Sequence, residues 1–303
     1  MDAHGGVSCN RADLYSKHQT LHLLMVEEIM IFRLLDFSRE EMNYSFCCVQ
    51  YIYINNGHHK QKVLVNGSPK TGTTWMLRLL DSIPGYSEIG NFYGDIQRYN
   101  EVQPGEIVHG HDWCTPTLVD LLTENQIKVV LLLRDPRDQL ISRVFHIRRD
   151  VNHNWHDRLR NMPLDQAISV CIEGGEDLPS MRTMIELTQS WLNNGKDFSP
   201  VRYEDLVNGT QSEFQRVLRH LDIQIPAKLS QMIVSRNKFE RLASGKKFWQ
   251  TSRKPGQIDP NSHFRKGIVG DWRNYYNDEH KDLFKEVAGD KLVELGYETN
   301  FCW

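Results

Sequence analysis

From Lys62 onward, short unbroken apolar runs alternate with stretches of helical spacing. Lys62–Gly67 is an apolar run ending in glycine, the pattern of a buried parallel strand. A glycine-containing turn follows, and then helical spacing from Thr74 to Ile83. Glu106–His111 reads as a second strand, and Lys128–Leu133, all aliphatic after its lysine, as the strongest one. Thr115-Pro116 and Asp135-Pro136 each set an N-cap before a proline at the first helical position. They open helices reaching Leu122 and about Arg149. Further helices are expected near 163–173, 180–193 and 278–289, and Thr210-x-x-Glu213 reads as a capping box opening a helix to Leu221. Phe198–Tyr203 is a strand that Pro200 confines to an edge or irregular role. Residues 241–263 are polar and loop-like. The first 60 residues differ: a helical stripe around 11–36, then an aromatic and β-branched segment, Tyr44–Ile54, that reads as extended.

Strands alternating with helices imply an α/β fold, a single domain with a central parallel sheet flanked by helices. Residues 61–303 would form it, with 1–60 as an N-terminal extension that carries no recognisable chemistry. Ligands in such sheets bind beyond the carboxyl ends of the strands. Three such ends, 67–75, 109–113 and 134–142, carry the residues of interest.

Composition adds limits rather than direction. In 303 residues, 40% hydrophobic and 25% charged, there is apolar material for a core without disulfide staples. A net charge of -3 and a pI near 6.5 argue against a general nucleic-acid binder. The six cysteines, Cys9, Cys47, Cys48, Cys114, Cys171 and Cys302, show no C-x-x-C pair or metal spacing and read as reduced thiols. The apolar stretch Leu21–Phe37 is broken by Glu27, Glu28 and Arg33, short of the ~20 apolar residues of a membrane span. No signal peptide is visible. The expected location is the cytoplasm, with no membrane partner.

Gly67-Ser68-Pro69-Lys70-Thr71-Gly72-Thr73-Thr74-Trp75 lies between strand and helix, where backbone N–H groups form an anion site. Its glycines have the spacing of a nucleotide-hydrolysing loop, but Thr73 stands where that loop has lysine, and the lysine is Lys70. That displacement tells against an ATP- or GTP-hydrolysing enzyme. PKTGTTW resembles the 5′-phosphosulfate loop of the cytosolic sulfotransferases, usually PKSGTTW, with Thr71 replacing the serine.

Two further segments strengthen the resemblance. Arg134-Asp135-Pro136-Arg137-Asp138-x-x-x-Ser142 leaves a strand and enters a helix, which suits a phosphate clamp. Phe264-Arg265-Lys266-Gly267-x-x-Gly270-Asp271-Trp272 sets two cations beside glycines in a loop. They resemble that family's 3′-phosphate strand and helix and its C-terminal signature, over about Lys62–Asn277. The resemblance implies transfer of sulfonate from 3′-phosphoadenosine 5′-phosphosulfate (PAPS), leaving PAP, to a small molecule, without a metal. It implies that Lys70, Thr71, Gly72, Thr73 and Thr74 hold the 5′ end, and Arg134, Ser142, Arg265, Lys266 and Gly267 the 3′-phosphate, with Phe264 also among the cofactor-binding residues. Trp75, Tyr203 and Phe239 would lie around the adenine.

Ile107-Val108-His109-Gly110-His111 carries the candidate reaction centre. Histidine suits a base near neutral pH. Alignment to the family's K-T-H-L-P-like string puts the catalytic histidine at His111 and its lysine at His109, where a protonated ring could serve as second cation beside Lys70. A metal shared by His109 and His111, or a purely structural role, is the alternative reading. The acceptor, a hydroxyl or amine compound, would meet the segments 91–100, 146–160, 173–182 and 240–263. There Glu173, Glu176 and Asp177 read as a solvated cluster or as an attraction for a cationic acceptor. The family's dimerisation string is replaced at Arg273, Asn277, Asp278 and Asp282, so a monomer or weak dimer is expected. Competing classes are a phosphate-loop kinase, a non-catalytic PAP sensor and a glycan or protein sulfotransferase.

Overall fold

A computed structural model describes residues 39–54, 60–244 and 265–303. The chain divides into two compact units, 1–56 and 57–303. The helix expected around 11–36 lies outside the described residues. In the first unit, α1 (Arg39–Ile54) is helical where an extended segment was expected for Tyr44–Ile54. Glu40 and Glu41 occupy its first turn, where carboxylates complement the helix dipole. Aromatic and β-branched residues favour strands by packing on a pleated surface. Every strand of the sheet comes from residues 62–202, and this segment is not among them.

The larger unit is built on five parallel strands: β1 (Lys62–Gly67), β2 (Ser87–Asn91), β3 (Glu106–His109), β4 (Ile127–Leu133) and β5 (Phe198–Arg202). Their order is β2-β3-β1-β4-β5. β1 is central because it is apolar on both faces: Leu64 packs with Val108, Val129 and Leu131 on one side, and Val63 and Val65 are equally buried on the other. Pro200, which has no N–H to donate, sits on edge strand β5 opposite Leu131. β2 is polar and bulged between Glu88 and Gly90, which hid it from the hydrophobic pattern.

Helices follow the strands: α2 (Thr73–Asp81), α3 (Pro116–Glu124), α4 (Pro136–Arg149), α5 (His156–Arg160), α6 (Leu164–Glu173), α7 (Met181–Asn194), α8 (Tyr203–Asn208), α9 (Thr210–His220), α10 (Ala227–Arg236), α11 (Phe239–Ser244) and α12 (Asp278–Glu294). The Thr115 and Asp135 side chains cap α3 and α4 as expected. The capping box at Thr210 does not form: Gly209 is the N-cap, the Thr210 hydroxyl donates to the Leu206 carbonyl, and Glu213 pairs with Arg216. The preceding helix α8 ends only one residue earlier, so its orphaned carbonyl captures the hydroxyl. Tyr203 opens α8 rather than ending the strand, and α11 extends into the segment read as loop. α12 is kinked at Ala288, near where the sequence pattern ended it, and runs on to Glu294.

Register brings the three loops together. Val65 pairs with His109 and Gly67 with Leu132, so the exits of β3, β1 and β4 open side by side at one edge of the sheet.

Candidate active site

The turn after β1 is held from several directions. Thr71 is buried, and its hydroxyl donates to the Ser68 carbonyl at 2.8 Å. From α4, Gln139 Nε2 donates to Ser68 Oγ and to the Pro69 carbonyl, both at 2.8 Å. Arg134 Nη1 donates to the Lys70 carbonyl at 3.2 Å. These bonds fix Lys70 in the left-handed region, at φ 75°, a strained conformation for a residue with a side chain. Gly72 caps α2 at φ 104°, and a Cβ there would lie 2.8 Å from Tyr203 Cδ2. Gly72→Ala is therefore expected to cost about 1–3 kcal/mol of stability, read by thermal melting, and to weaken PAP binding by displacing Tyr203. Unchanged melting and binding would show that the loop relaxes freely.

The turn opens into a cavity of about 460 Å³. It brings together Lys70, Gly72, Thr73, Thr74 and Trp75 with His109 and His111, and with Arg134, Ser142, Tyr203, Phe239, Arg265, Lys266 and Gly267. Of the sequence candidates, Thr71 stands behind the wall and Phe264 lies outside the described residues. Residues from Lys70 to Gly267 thus meet in one place.

On the second-anion side, Asp271 is the organiser that the sequence reading missed. Its buried carboxylate accepts from Arg265 Nη2 at 2.6 Å and Lys266 Nζ at 2.8 Å. Asp138, on α4, accepts from the backbone N–H groups of Gly270 (2.6 Å) and Trp272 (2.9 Å), tying this loop to the helix that carries Ser142. Of the two arginines in the R-D-P-R-D string, Arg134 lines the cavity. Arg137 is buried in an ion pair with Asp135 at 2.8 Å, pairs also with Glu298, and stacks on Trp272 and Trp303. Arg134 Nε and Arg265 Nε are buried donors without an acceptor, and among the described residues no Asp or Glu lines the cavity. Both facts suit a bound polyanion.

The aromatic wall is Trp75, Tyr203 and Phe239. Trp75 and Tyr203 meet edge to face, with ring centroids 6.1 Å apart, and the Arg134 guanidinium lies 4.2 Å from the centre of the Tyr203 ring. Trp75 Nε1 donates to the Asn237 carbonyl at 2.8 Å. Gly267 lies flat against Phe239; a Cβ there would enter the ring.

At the third exit, β3 ends at His109, two residues earlier than expected. Gly110 still donates to Val65, but Asp112 turns away to exchange two 3.0 Å bonds with the Asn66 side chain. The Asp112 carboxylate accepts from Tyr99, and its carbonyl accepts from Trp191 Nε1, both at 2.7 Å. This buried network sets the position of His111. His111 Nδ1 lies 2.6 Å from the Gly67 carbonyl. A carbonyl only accepts, so Nδ1 carries the hydrogen and the neutral ring has its lone pair on Nε2. Burial lowers the His111 pKa from the ordinary imidazole value, favouring that neutral form. His109 Nε2 is 3.0 Å from Thr73 Oγ1, and the two imidazole centroids are 4.6 Å apart. No third His, Cys, Asp or Glu joins them in a metal-binding group among the described residues. Lys70 is pushed down to about 7, first by burial and then by Arg149 and Arg134 nearby.

The acidic cluster Glu173, Glu176 and Asp177 is exposed and outside the cavity wall. From the acceptor segments, Tyr93, His146, His153 and Pro179 do line it. Among the described residues no helix is long and apolar enough to cross a membrane.

The sulfotransferase domain family matches residues 60–296. Sulfotransferase 1 family member D1 of Mus musculus is 21% identical over 259 residues, 77% of this chain and 83% of its own length. Cytosolic sulfotransferase 3 of Arabidopsis thaliana is 26% identical over 185 residues, 59% of this chain and 57% of its own. Among solved structures, mouse sulfotransferase SULT7A1 complexed with PAP superposes with a TM-score of 0.61 at 18% identity, covering 83% of this chain and 93% of that one. Retinol dehydratase in a complex with retinol and PAP gives 0.54 at 17%, covering 82% and 86%. At such identities the structures speak to the fold, and the family match speaks to the activity. The chain belongs to the sulfotransferase family and is a sulfotransferase.

Proposed function

We propose that this enzyme moves the sulfonate of PAPS in a single in-line step onto a hydroxyl or amine of a small molecule, with His111 as the base. The observation that carries the reading is the His111–Gly67 hydrogen bond, which turns an imidazole lone pair into the role of acceptor in the cavity that Lys70 also lines. PAPS supplies an activated sulfonate on a phosphate leaving group. The amides of 67–74 and the N-terminus of α2 would hold its 5′ end. Arg134, Ser142, Arg265, Lys266 and Gly267 would hold the 3′-phosphate, with Trp75, Tyr203 and Phe239 around the base. The orphaned donors on Arg134 and Arg265 support that assignment.

In the step itself, His111 Nε2 takes the acceptor's proton as its oxygen or nitrogen bonds to sulfur. The bond from sulfur to the phosphate oxygen breaks, and Lys70 meets the charge that develops there. His109, where the family carries lysine, holds the Thr73 hydroxyl at the mouth of the same helix. The enzyme acts in the cytoplasm as a monomer or weak dimer, without metal.

Calorimetric titration with PAP, run beside ATP–magnesium, tests the reading. PAP is expected to bind at least ~10-fold more tightly, because two separated phosphate sites discriminate by more than a single hydrogen bond's worth of energy. Tighter binding of ATP–magnesium would overturn it. Transfer from labelled PAPS to hydroxyaryl and amine acceptors then reads the activity.

A further inference from the structure

The nucleotide reading above accounts for four of the cations in the cavity wall, Lys70, Arg134, Arg265 and Lys266. It leaves one over. Arg143 lines the same cavity and is 6% exposed. Among the described residues its only hydrogen bond runs from Nη1 to the Pro179 carbonyl at 2.6 Å. Among the described residues its guanidinium meets no carboxylate. A guanidinium stays charged even when buried, and a buried charge is costly unless something pairs with it. The other arginine interior to α4, Arg137, has two carboxylates and two indole rings for the same purpose.

Two of the groups around Arg143, Pro179 and His153, belong to the acceptor segments, and Cys171 lies on α6 just before one. Pro179 carries its one bond, and its charge is felt by His153 and by the Cys171 thiol. None of these belongs to a phosphate-binding segment. Thr183, Met184 and Leu187 of α7 and the exposed Trp113 complete a wall with apolar surface for a ring or short hydrocarbon.

We infer that the acceptor carries an anionic group, a carboxylate, set apart from the hydroxyl or amine that receives the sulfonate, and that Arg143 binds it. The inference rests on the sulfotransferase reading of the same cavity. Arg143 is thus a specificity residue: a carboxylate offers its fork the bidentate partner that the fold does not provide. The compartment accordingly takes hydroxyaryl acids over cationic amines, the opposite of what the exposed acidic cluster at 173–177 would select.

The test needs no variant to begin. Hydroxyaryl carboxylates and their carboxamides, matched in ring and hydroxyl position, are titrated into the PAP-loaded enzyme. The acid is expected to bind at least ~10-fold more tightly than its amide, the range of a charge-assisted pair against a neutral one. Equal binding, or none by the acid, overturns the inference. Arg143→Gln should then remove the preference while the amide and PAP keep their affinities, and Arg143→Lys should restore part of it. Should Arg143→Gln weaken PAP as much as the acid, Arg143 serves the nucleotide and the inference falls. Failure of wild-type PAP binding would instead mark failure of the sulfotransferase site itself.

Discussion

His111→Ala is expected to lower kcat by about 10³-fold while the Kd for PAP changes little, within the range a general base contributes. The expectation comes from the tautomer. The Gly67 carbonyl holds the hydrogen on Nδ1, and burial disfavours the charged ring, so a lone pair stands ready on Nε2. The same geometry sets the pH profile. Lowering the pH protonates Nε2 and removes the base, and because burial lowers the pKa, this loss should begin below about 6.5, the ordinary imidazole value. His111→Gln, which retains a hydrogen-bonding amide but cannot take a proton, should be as slow as the alanine variant. Turnover within about 10-fold of wild type in either variant would remove His111 from proton transfer.

Lys70→Ala should lower kcat by about 10²–10³-fold and also weaken PAP binding, because this side chain faces both the bound phosphate and the charge that forms on it. Its pKa of about 7 in the free site gives a second signature. Above pH 7 most free enzyme has a neutral Lys70, and a polyanion bound beside it raises the pKa again. PAP binding should therefore take up close to one proton at pH 8, and affinity should fall as pH rises from 7 toward 9. Calorimetry in buffers of different ionisation enthalpy measures the uptake. The Lys70→Ala variant should lose it. Proton release, or an uptake unchanged in the variant, would move the low pKa to another group.

Four of the five strands and the loops between them were legible because their signals are local. The run Lys128–Leu133 is too short and too aliphatic for anything but a buried strand, and Asp135-Pro136 begins a helix by backbone chemistry alone. The loop 67–75 could be read for the same reason. What escaped notice depends on distant partners. Asp271 stands in the C-terminal signature without a role until Arg265 and Lys266 are seen to share its carboxylate. Asp112 looks like a surface residue beside two histidines, whereas Asn66, Tyr99 and Trp191 converge on it from 13 to 79 residues away. Arg143 gave no motif at all; only its burial sets it apart. The Tyr44–Ile54 error is of another kind: composition described a residue set suited to a sheet, and the segment is helical instead.

The Asp138 carboxylate, which accepts two backbone N–H groups of the 270–272 turn, bears on how this family can be recombined. A chimera that takes the 136–149 helix from one parent and the 265–272 segment from another inherits two halves of a single fastener. It should hold nucleotide only where the donor helix brings an aspartate to position 138, whatever cations the grafted segment contains. Crossover points that keep 134–142 and 265–272 together should outlast those that part them, although more than a hundred residues lie between.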